Sequence, residues 1–563
     1  MNASELVERA HQARAQLVAP GAPFELEQVE HLGHPAKAYK NAFRTLPDLI
    51  NAGRAHGARE FMVYGEDRWT FDRFFAAVDA LAGRWQQEHG MKPGDIVAIA
   101  LRNRPEWAVA FVAAALVGAV PAPLNSFGLG EELSTSLRDL NPRWLVCDQD
   151  RLDRLAQHPL PEGCQSTVVD SDQGSVRWRD LVAPGGPALK PPTLAATDPA
   201  LILFTSGASA QAKGVQSNQR AVCQALFNID YIGALAGMTS PQAVQKFMAA
   251  GLTPTTLTVV PLFHISGLHA QLLAALRHGR RLVLMYRWDP ALAMELIQRE
   301  KVTQFNGAPS MVQQLLNQPA FHDPAVSGSL MGLGFGGAGL SQRLIEATLA
   351  ARPDSLSGIG FGLTETNGVG AGASGTLFAL RPECAGTVSP LMELRIADVF
   401  GEPQPTGQDG EIWLRGVTVM NGYWNQPRAT QAAMSDGWFR TGDVGHIDAD
   451  GFLRIVDRIK DVINRSGEKI AAAEVESCLL QHTAVEDAVV FAQPDEQTGE
   501  AVVAVVHLRA GAQASSEELR QHVAARLAAY KVPQVVHLRD TALPRNPAGK
   551  LLKNAVKREY QPK

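Results

Sequence analysis

Residues 95–125 read DIVAIALRNRPEWAVAFVAAALVGAVPAPLN. A strand-like run, DIVAIAL (95–101), leads into the helical EWAVAFVAAALVG (106–118), and the chain continues into PAPLN. The longest apolar run, Ala108–Val120, is shorter than the roughly 20 residues a membrane-spanning helix needs. It reads as a buried helix leading to a strand. The alternation recurs: RWLVCD (143–148) follows an amphipathic segment, TLTVVPLF (256–263) precedes a helix, and RLVLM (281–285) precedes DPALAMELIQRE. Alternating strands and helices argue for α/β layers with substantially parallel sheets. The Gly/Pro-rich VAPGGPALKPP (182–192) reads as a surface connection. After about residue 395 the texture changes: EIWLRG and GFLRIVD are strands of alternating character, with Asp436-Gly437 and Asp450-Gly451 as turn signals. Beyond residue 460 comes a compact α+β pattern: a helix around AEVESCLLQH, strands DAVVFAQ and AVVAVVHL, and a helix from Ser515, which has capping-box spacing to Glu518. The predicted organisation is α/β. A large N-terminal domain, 1–459, carries layered, mainly parallel sheets with helices and a small barrel-like β part; a small mobile α+β domain follows, 460–563.

Composition narrows the function classes. Of 563 residues, 45% are hydrophobic and 19% charged, with a net charge of −5, so the chain reads as ordinary globular protein without the basic excess of a nucleic-acid binder. Five scattered cysteines with no C-x-x-C pair fit reduced thiols, with neither a disulfide framework nor a zinc site. The N-terminus, MNASELVERAHQARAQL, is polar and reads as a short amphipathic helix, lacking the apolar stretch of a signal peptide. The expectation is a soluble, cytoplasmic protein without a membrane span; peripheral membrane association and a homodimeric assembly stay open.

The first chemical motif is ALILFTSGASAQAKGV (200–215), an apolar strand entering a loop of small and hydroxylated residues. Small residues let backbone N–H groups approach phosphate oxygens, the hydroxyls of Thr205, Ser206 and Ser209 add donors, and Lys213 adds positive charge. Taken alone, the segment reads equally well as a surface loop between strand and helix. It is not a Walker-type loop, because Gly214 follows Lys213.

This segment resembles the phosphate loop of the adenylate-forming superfamily, [ST]-S-G-[ST]-[ST]-G-x-P-K-G, which includes acyl- and aryl-CoA synthetases, firefly luciferase and peptide-synthetase adenylation domains. Thr205, Ser206, Gly207, Ser209, Lys213 and Gly214 match; Ala208, Ala210 and Ala212 depart, and the downstream S-H-R is Asn218-Gln219-Arg220. Ala210 costs about 1–2 kcal/mol if the loop needs a left-handed residue there, and the missing proline about 0.4–1 kcal/mol. Weakened ATP handling is expected, and a catalytically impaired nucleotide-binding homologue remains the alternative.

Further motifs resemble the superfamily in order. Gly360, Phe361, Gly362, Thr364 and Glu365 lie in a segment resembling [YF]-G-x-T-E, which implies that Thr364 contacts the α-phosphate and Glu365 holds Mg²⁺ on ATP. Gly336, Gly337 and Ala338 resemble the segment lying against adenine, with Gly336 also at the acyl side. Gly332, Gly334 and Gly337 match G-x-G-x-x-G as well, which on its own is weak evidence for NAD. Pro261-Leu262-Phe263-His264 with Gly267 resembles P-[LM]-[FY]-H-x-x-G, implying that His264 sits where the acyl pocket meets the pantetheine tunnel. Asp443, ending WFRTGD, matches the ribose-binding residue, Arg458 a nucleotide contact, Lys460 the interdomain hinge, and Ser466-Gly467 the turn lining the CoA tunnel. LPRNPAGK (543–550) matches P-R-[TN]-x-x-G-K, which implies that Lys550 is the lysine entering the site during adenylation. Lys550, Glu365, Thr364 and Lys213 are thus the expected catalytic set. The resemblance covers about residues 45–555 and implies an AMP-forming carboxylic acid:CoA ligase using ATP, Mg²⁺ and coenzyme A. The acid is expected to be a medium- or long-chain fatty acid, because Gly332, Gly334, Gly336 and Gly337 leave room for a long chain. Aryl acids, or an acceptor other than CoA, remain alternatives.

Overall fold

The computed structural model describes residues 3–205, 212–336, 339–466 and 468–560. The opening segment behaves as its pattern dictates. Pro105 starts the helix Pro105–Val117 and Gly118, at φ 81°, ends it in the left-handed conformation. Every residue of that helix except Glu106 is buried. It packs beside a four-stranded parallel sheet in the order 120–123, 96–100, 144–147, 165–168.

A second, fourteen-stranded sheet changes character along its width. Six parallel strands run in the spatial order 60–64, 281–284, 255–258, 304–307, 332–336, 358–361. Beyond 358–361 every neighbour is antiparallel: 371–374, 386–388, 452–458, 438–447, 410–416 and 392–397. The β part expected after residue 395 is therefore hydrogen-bonded into the large sheet as its antiparallel half. Asp436 and Gly437, at φ 47° and 74°, make the two-residue turn into strand 438–447, both in the positive region such a hairpin requires.

The segment 200–215 differs from expectation. Strands Pro199–Phe204 and Gly214–Asn218 pair antiparallel, so the loop between them closes a hairpin and does not lead from a strand to a helix. The helix begins only at Gln219, where the Asn218 side chain accepts from the Ala221 amide at 2.8 Å. Gln219 accepts from the Leu46 amide at 2.8 Å and donates to the Pro199 carbonyl at 2.9 Å. The residues replacing the expected S-H-R thus cap and anchor this helix, Gln219–Thr239. It has the length and apolarity of a membrane crossing, yet it packs inside the protein. Its Asn228 carboxamide oxygen accepts from the Tyr39 hydroxyl at 2.9 Å and the Ser389 hydroxyl at 2.6 Å.

The short turn Ile459–Asp461, with Lys460 exposed, joins strand 452–458 to a separate five-stranded sheet. Its strands run 468–471, 462–465, 499–508, 485–495, with 535–539 parallel to 499–508. Helices Ala472–Leu480 and Ser516–Ala524 cover it, burying Val475, Leu479, Leu519 and Val523. The capping box forms, the Glu518 amide donating to Ser515 Oγ at 3.1 Å. All five cysteines are free thiols.

Candidate active site

The tail motif folds into a device that presents one ammonium. Arg545 and Leu551 bridge antiparallel, and the Leu552 amide returns to the Pro544 carbonyl at 2.8 Å. Across the turn, the Gly549 amide donates to the Asn546 carbonyl at 2.8 Å, and the Lys550 amide to Asn546 Oδ1 at 2.9 Å. Gly549 takes φ 82°, open to glycine at little cost. The Arg545 guanidinium ties the Gly549 carbonyl, at 2.7 Å, to the Asp487 carboxylate. Pro544, Arg545, Asn546 and Gly549 of P-R-N-x-x-G-K thus all serve to hold the lysine.

The hairpin docks on the large domain where helix Pro309–Leu316 begins. A Cβ on Gly549 would lie 2.7 Å from Ala308 Cβ, and Ser310 Oγ donates to the Gly549 carbonyl at 3.3 Å. Lys550 arrives among Arg458, Asp443 and Glu365. Burial lowers the pKa of its ammonium, Arg458 adds to this, and the two carboxylates oppose it.

Glu365 sits in the tight turn Thr364–Thr366 immediately after the last parallel strand, where the sheet changes direction. The turn needs its glycine: a Cβ on Gly362 would lie 2.2 Å from the Gly368 carbonyl oxygen. Asn367 pins it down, donating to Ser217 Oγ and the Thr418 carbonyl, both at 2.9 Å. The Glu365 carboxyl is 9% exposed and accepts from the Tyr423 hydroxyl at 2.9 Å. Burial raises its pKa, while the Tyr423 bond and then Lys213 and Arg458 lower it. The Lys213 ammonium lies 4.7 Å from the centre of the Tyr423 ring, a cation–π distance. Tyr423 therefore links two expected catalytic residues and was missed in the sequence reading. Its only local signal is Gly422, and pairing of Gly422–Tyr423 with Val215–Gln216 is a long-range event.

Asp443 and Arg458 face each other across paired strands, Arg458 Nε 3.2 Å from Asp443 Oδ1. The Asp443 carboxyl is buried, which raises its pKa, while Arg458 and Lys550 pull it down. His264 precedes a turn that Gly267 closes against Pro261, whose carbonyl oxygen would be 2.3 Å from an added Cβ. Burial and then Lys550 push the His264 pKa down to about 3, so the ring is neutral at ordinary pH.

Some expected residues do not join this centre. Ser466, at φ 52°, lies on an exposed turn with its amide on the Thr498 carbonyl at 2.8 Å. Thr205 stands at the base of the loop, its amide on the Lys213 carbonyl at 2.9 Å and its hydroxyl accepting from the Lys213 amide at 3.2 Å. Ser206, Gly207, Ala208, Ser209, Ala210, Gly337, Ala338 and Gly467 lie outside the described residues. The room expected beside Gly332 and Gly334 is filled: added Cβ atoms would lie 2.5 Å from Gln304 Oε1 and 2.0 Å from Asn306 Oδ1. The same packing explains these two glycines without a dinucleotide. Of Gly332, Gly334 and Gly336, the last alone has nothing within 4 Å of an added Cβ among the described residues.

Residues 50–424 match the AMP-binding enzyme family, and residues 474–550 match the AMP-binding enzyme C-terminal domain. The chain belongs to the AMP-binding enzymes. A feruloyl-CoA synthase of Amycolatopsis sp is 32% identical to it over 482 residues, 84% of this chain and 90% of the relative. Among solved structures, o-succinylbenzoate CoA synthetase (MenE) of Bacillus subtilis, in complex with the acyl-adenylate intermediate OSB-AMP, is 28% identical. Its TM-score is 0.74, over 90% of this chain and 97% of that one. A Mycobacterium tuberculosis fatty acyl CoA synthetase is 26% identical with a TM-score of 0.68, over 92% and 98%.

This AMP-binding enzyme is accordingly an acid–thiol ligase with the α/β architecture of the adenylate-forming superfamily. Among the described residues no group of three or more His, Cys, Asp or Glu is arranged to hold a metal ion. A lone buried carboxylate, Glu365, with one oxygen held by Tyr423, suits a hard cation that brings most of its oxygen ligands with a nucleotide.

Proposed function

We propose that Lys550 and Lys213 clamp the two anionic reactants while Glu365 receives Mg²⁺ with ATP, and that the acid is aryl or comparably compact. The convergence of Lys550 with Glu365, Asp443 and Arg458 carries this reading: residues far apart in sequence supply opposite charges around one point. A carboxylate and a triphosphate repel, so a fixed cation between them offsets the charge of the attack. A carboxylate oxygen bonds to the α-phosphorus, the bond to the pyrophosphate bridge breaks, and acyl-AMP forms. Bound Mg²⁺ would supply charge neutralisation on the pyrophosphate side. Asp443 accepts hydrogen bonds from the ribose hydroxyls, and Arg458 opposes the rise in its pKa that burial causes. Neutral His264 positions the acyl end without carrying charge into it.

The part from Lys460 onward then turns as a unit about that residue. Lys550 withdraws and Ser466-Gly467 comes beside the thiol path. The CoA sulfur bonds to the acyl carbon, the bond to AMP breaks, and the thiol proton passes to solvent. The exposed position of Ser466 in the present arrangement supports this division of labour.

The compact acid is favoured by the amides filling the space at Gly332 and Gly334 and by the likeness to a feruloyl-CoA synthase. A medium- or long-chain fatty acid is the second reading, favoured by the open space at Gly336 and the likeness to a fatty acyl CoA synthetase. Pyrophosphate release with acids from acetate to stearate, plus benzoate and cinnamate, with and without CoA, tests activity, acid class and acceptor together. Turnover restricted to long-chain acids would replace the first reading with the second. Nucleotide binding without carboxylate-dependent ATP–pyrophosphate exchange would mark an impaired homologue.

A further inference from the structure

Interior parallel strands, covered on both faces, ordinarily read as continuous apolar runs. Three neighbouring strands here break that rule on one face only. Thr256 stands beside Gln304, Gln304 beside Gly332, and Asn306 beside Gly334. The alternate positions Leu257, Phe305, Leu333 and Phe335 point to the other face and are buried in a hydrophobic cluster. Gln304 Nε2 donates to Asn306 Oδ1 at 2.8 Å. Both amides lie over the two glycines, whose missing side chains make the hollow for them. This leaves Gln304 Oε1 and Asn306 Nδ2 without a hydrogen bond among the described residues, and both side chains are only half-buried.

A third amide closes on the same place. Gln271, 2% exposed, sits in the segment Leu268–Leu273, a wide π-type turn following His264; such turns recur at functional sites. Its Nε2 reaches the Asn306 carbonyl at 3.5 Å, and its Oε1 is buried without a partner among the described residues. Thr258 Oγ1, on the strand next to Gln304, is likewise buried and unpartnered. Beside the amides, Gly336 has nothing within 4 Å of an added Cβ among the described residues, and Gly360, one strand further, is exposed despite its place in the middle of the sheet. A slot over a glycine face therefore ends on a floor of amides with unused donors and acceptors. For the two buried atoms, Gln271 Oε1 and Thr258 Oγ1, being unpaired costs stability unless something satisfies them.

We propose that this floor selects a carboxylic acid bearing a hydroxyl or carbonyl oxygen at the end remote from its carboxylate. Gln271 Oε1 accepts from a hydroxyl, and Asn306 Nδ2 donates to either oxygen; a hydrocarbon end of the same shape leaves both unpaired. The inference rests on the ligase reading and sharpens its acid class.

The test uses the full chain and acid pairs differing by one oxygen, cinnamate with 4-hydroxycinnamate and decanoate with 10-hydroxydecanoate, compared by kcat/KM in pyrophosphate release. At least one oxygenated member should be preferred by about tenfold or more, since a site built to bond a hydroxyl rejects the analogue lacking it. Asn306→Leu and, as a gentler near-isosteric change, Gln271→Met should each bring that ratio close to one without changing KM for ATP. A ratio near one for both pairs in the unaltered enzyme, or a preference that survives in a folded variant, overturns the inference while leaving the ligase intact. Failure of every acid to release pyrophosphate overturns the ligase reading and this inference together.

Discussion

The proposed nucleotide end and the proposed acyl end of this site are built on opposite principles. At the nucleotide end, Glu365, Asp443, Arg458 and Lys550 place full charges against one another, each held by its own turn or strand pair. At the acyl end the described residues of the sheet face are neutral: glycine backbone and amides, with a neutral histidine nearby. Charged chemistry common to every acid is thus separated from neutral shape that can differ with the acid. Changes at one end should alter how ATP is used, and changes at the other which acid is used.

The largest expected effect tests the charged end. Lys550→Ala should slow acyl-AMP formation by about 100- to 1,000-fold for every acid alike, the scale of losing one preorganised charge partner. Thioester formation from supplied acyl-AMP should be spared. Equal loss in both half-reactions would remove the division of labour between the two arrangements of the small domain. Tyr423→Phe should raise KM for Mg–ATP by about tenfold, the worth of a hydrogen bond to a charged group, again irrespective of the acid. Dependence of that increase on the acid would break the separation of the two ends.

At the neutral end, Gly336→Leu should leave the thermal midpoint nearly unchanged, because nothing among the described residues stands within 4 Å of an added Cβ. It should raise KM for the acid, most for the bulkiest acids in the panel, with KM for ATP constant. A changed KM for ATP would show that the slot and the nucleotide share this wall.

The smallest effect is on stability. His269 is fully buried, with Nδ1 3.3 Å from the Asn367 carbonyl and Nε2 unpartnered among the described residues. Burial pushes its pKa down to about 4 and that of His264 to about 3. A histidine depressed in the folded state favours folding above its unfolded value of about 6.5 and loses that advantage as pH falls. The midpoint of thermal unfolding should therefore fall as pH drops from about 6.5 toward 4, and the fall should be shallower in His269→Gln. An unchanged slope would assign the acid sensitivity elsewhere.

What was legible in the sequence follows the same division. The Lys550 hairpin could be read because each of its residues acts within a few positions: Asn546 bonds the backbone of Gly549 and Lys550, and Gly549 supplies the positive φ. The Asp436-Gly437 turn and the Ser515–Glu518 cap were legible for the same local reason. Strand–helix alternation announced the parallel half of the large sheet. The hairpin around the phosphate loop was not legible, since pairing of Gly214–Asn218 with Pro199–Phe204 looks, in one dimension, like a strand followed by a helix. Tyr423 was hidden because 58 residues separate it from Glu365. The acyl floor was misread outright: glycines at 332 and 334 looked like room for a chain, while the residues filling that room stand 28 positions earlier on a neighbouring strand.

The docking of the tail has a mechanical corollary. Leu543 and Leu551 are anchored in an apolar cluster of the small domain with Val489 and Val556. Toward the large domain the hairpin offers glycine, a hydroxyl-to-carbonyl bond of 3.3 Å and a brush against Ala308. Apart from the ammonium itself, such a contact is a latch without glue: the hairpin backbone gives up little more than one ordinary hydrogen bond on release, about 0.5–1.5 kcal/mol. In the proposed cycle the same lysine enters and leaves once per turnover, and a stop that locates without gripping suits that motion.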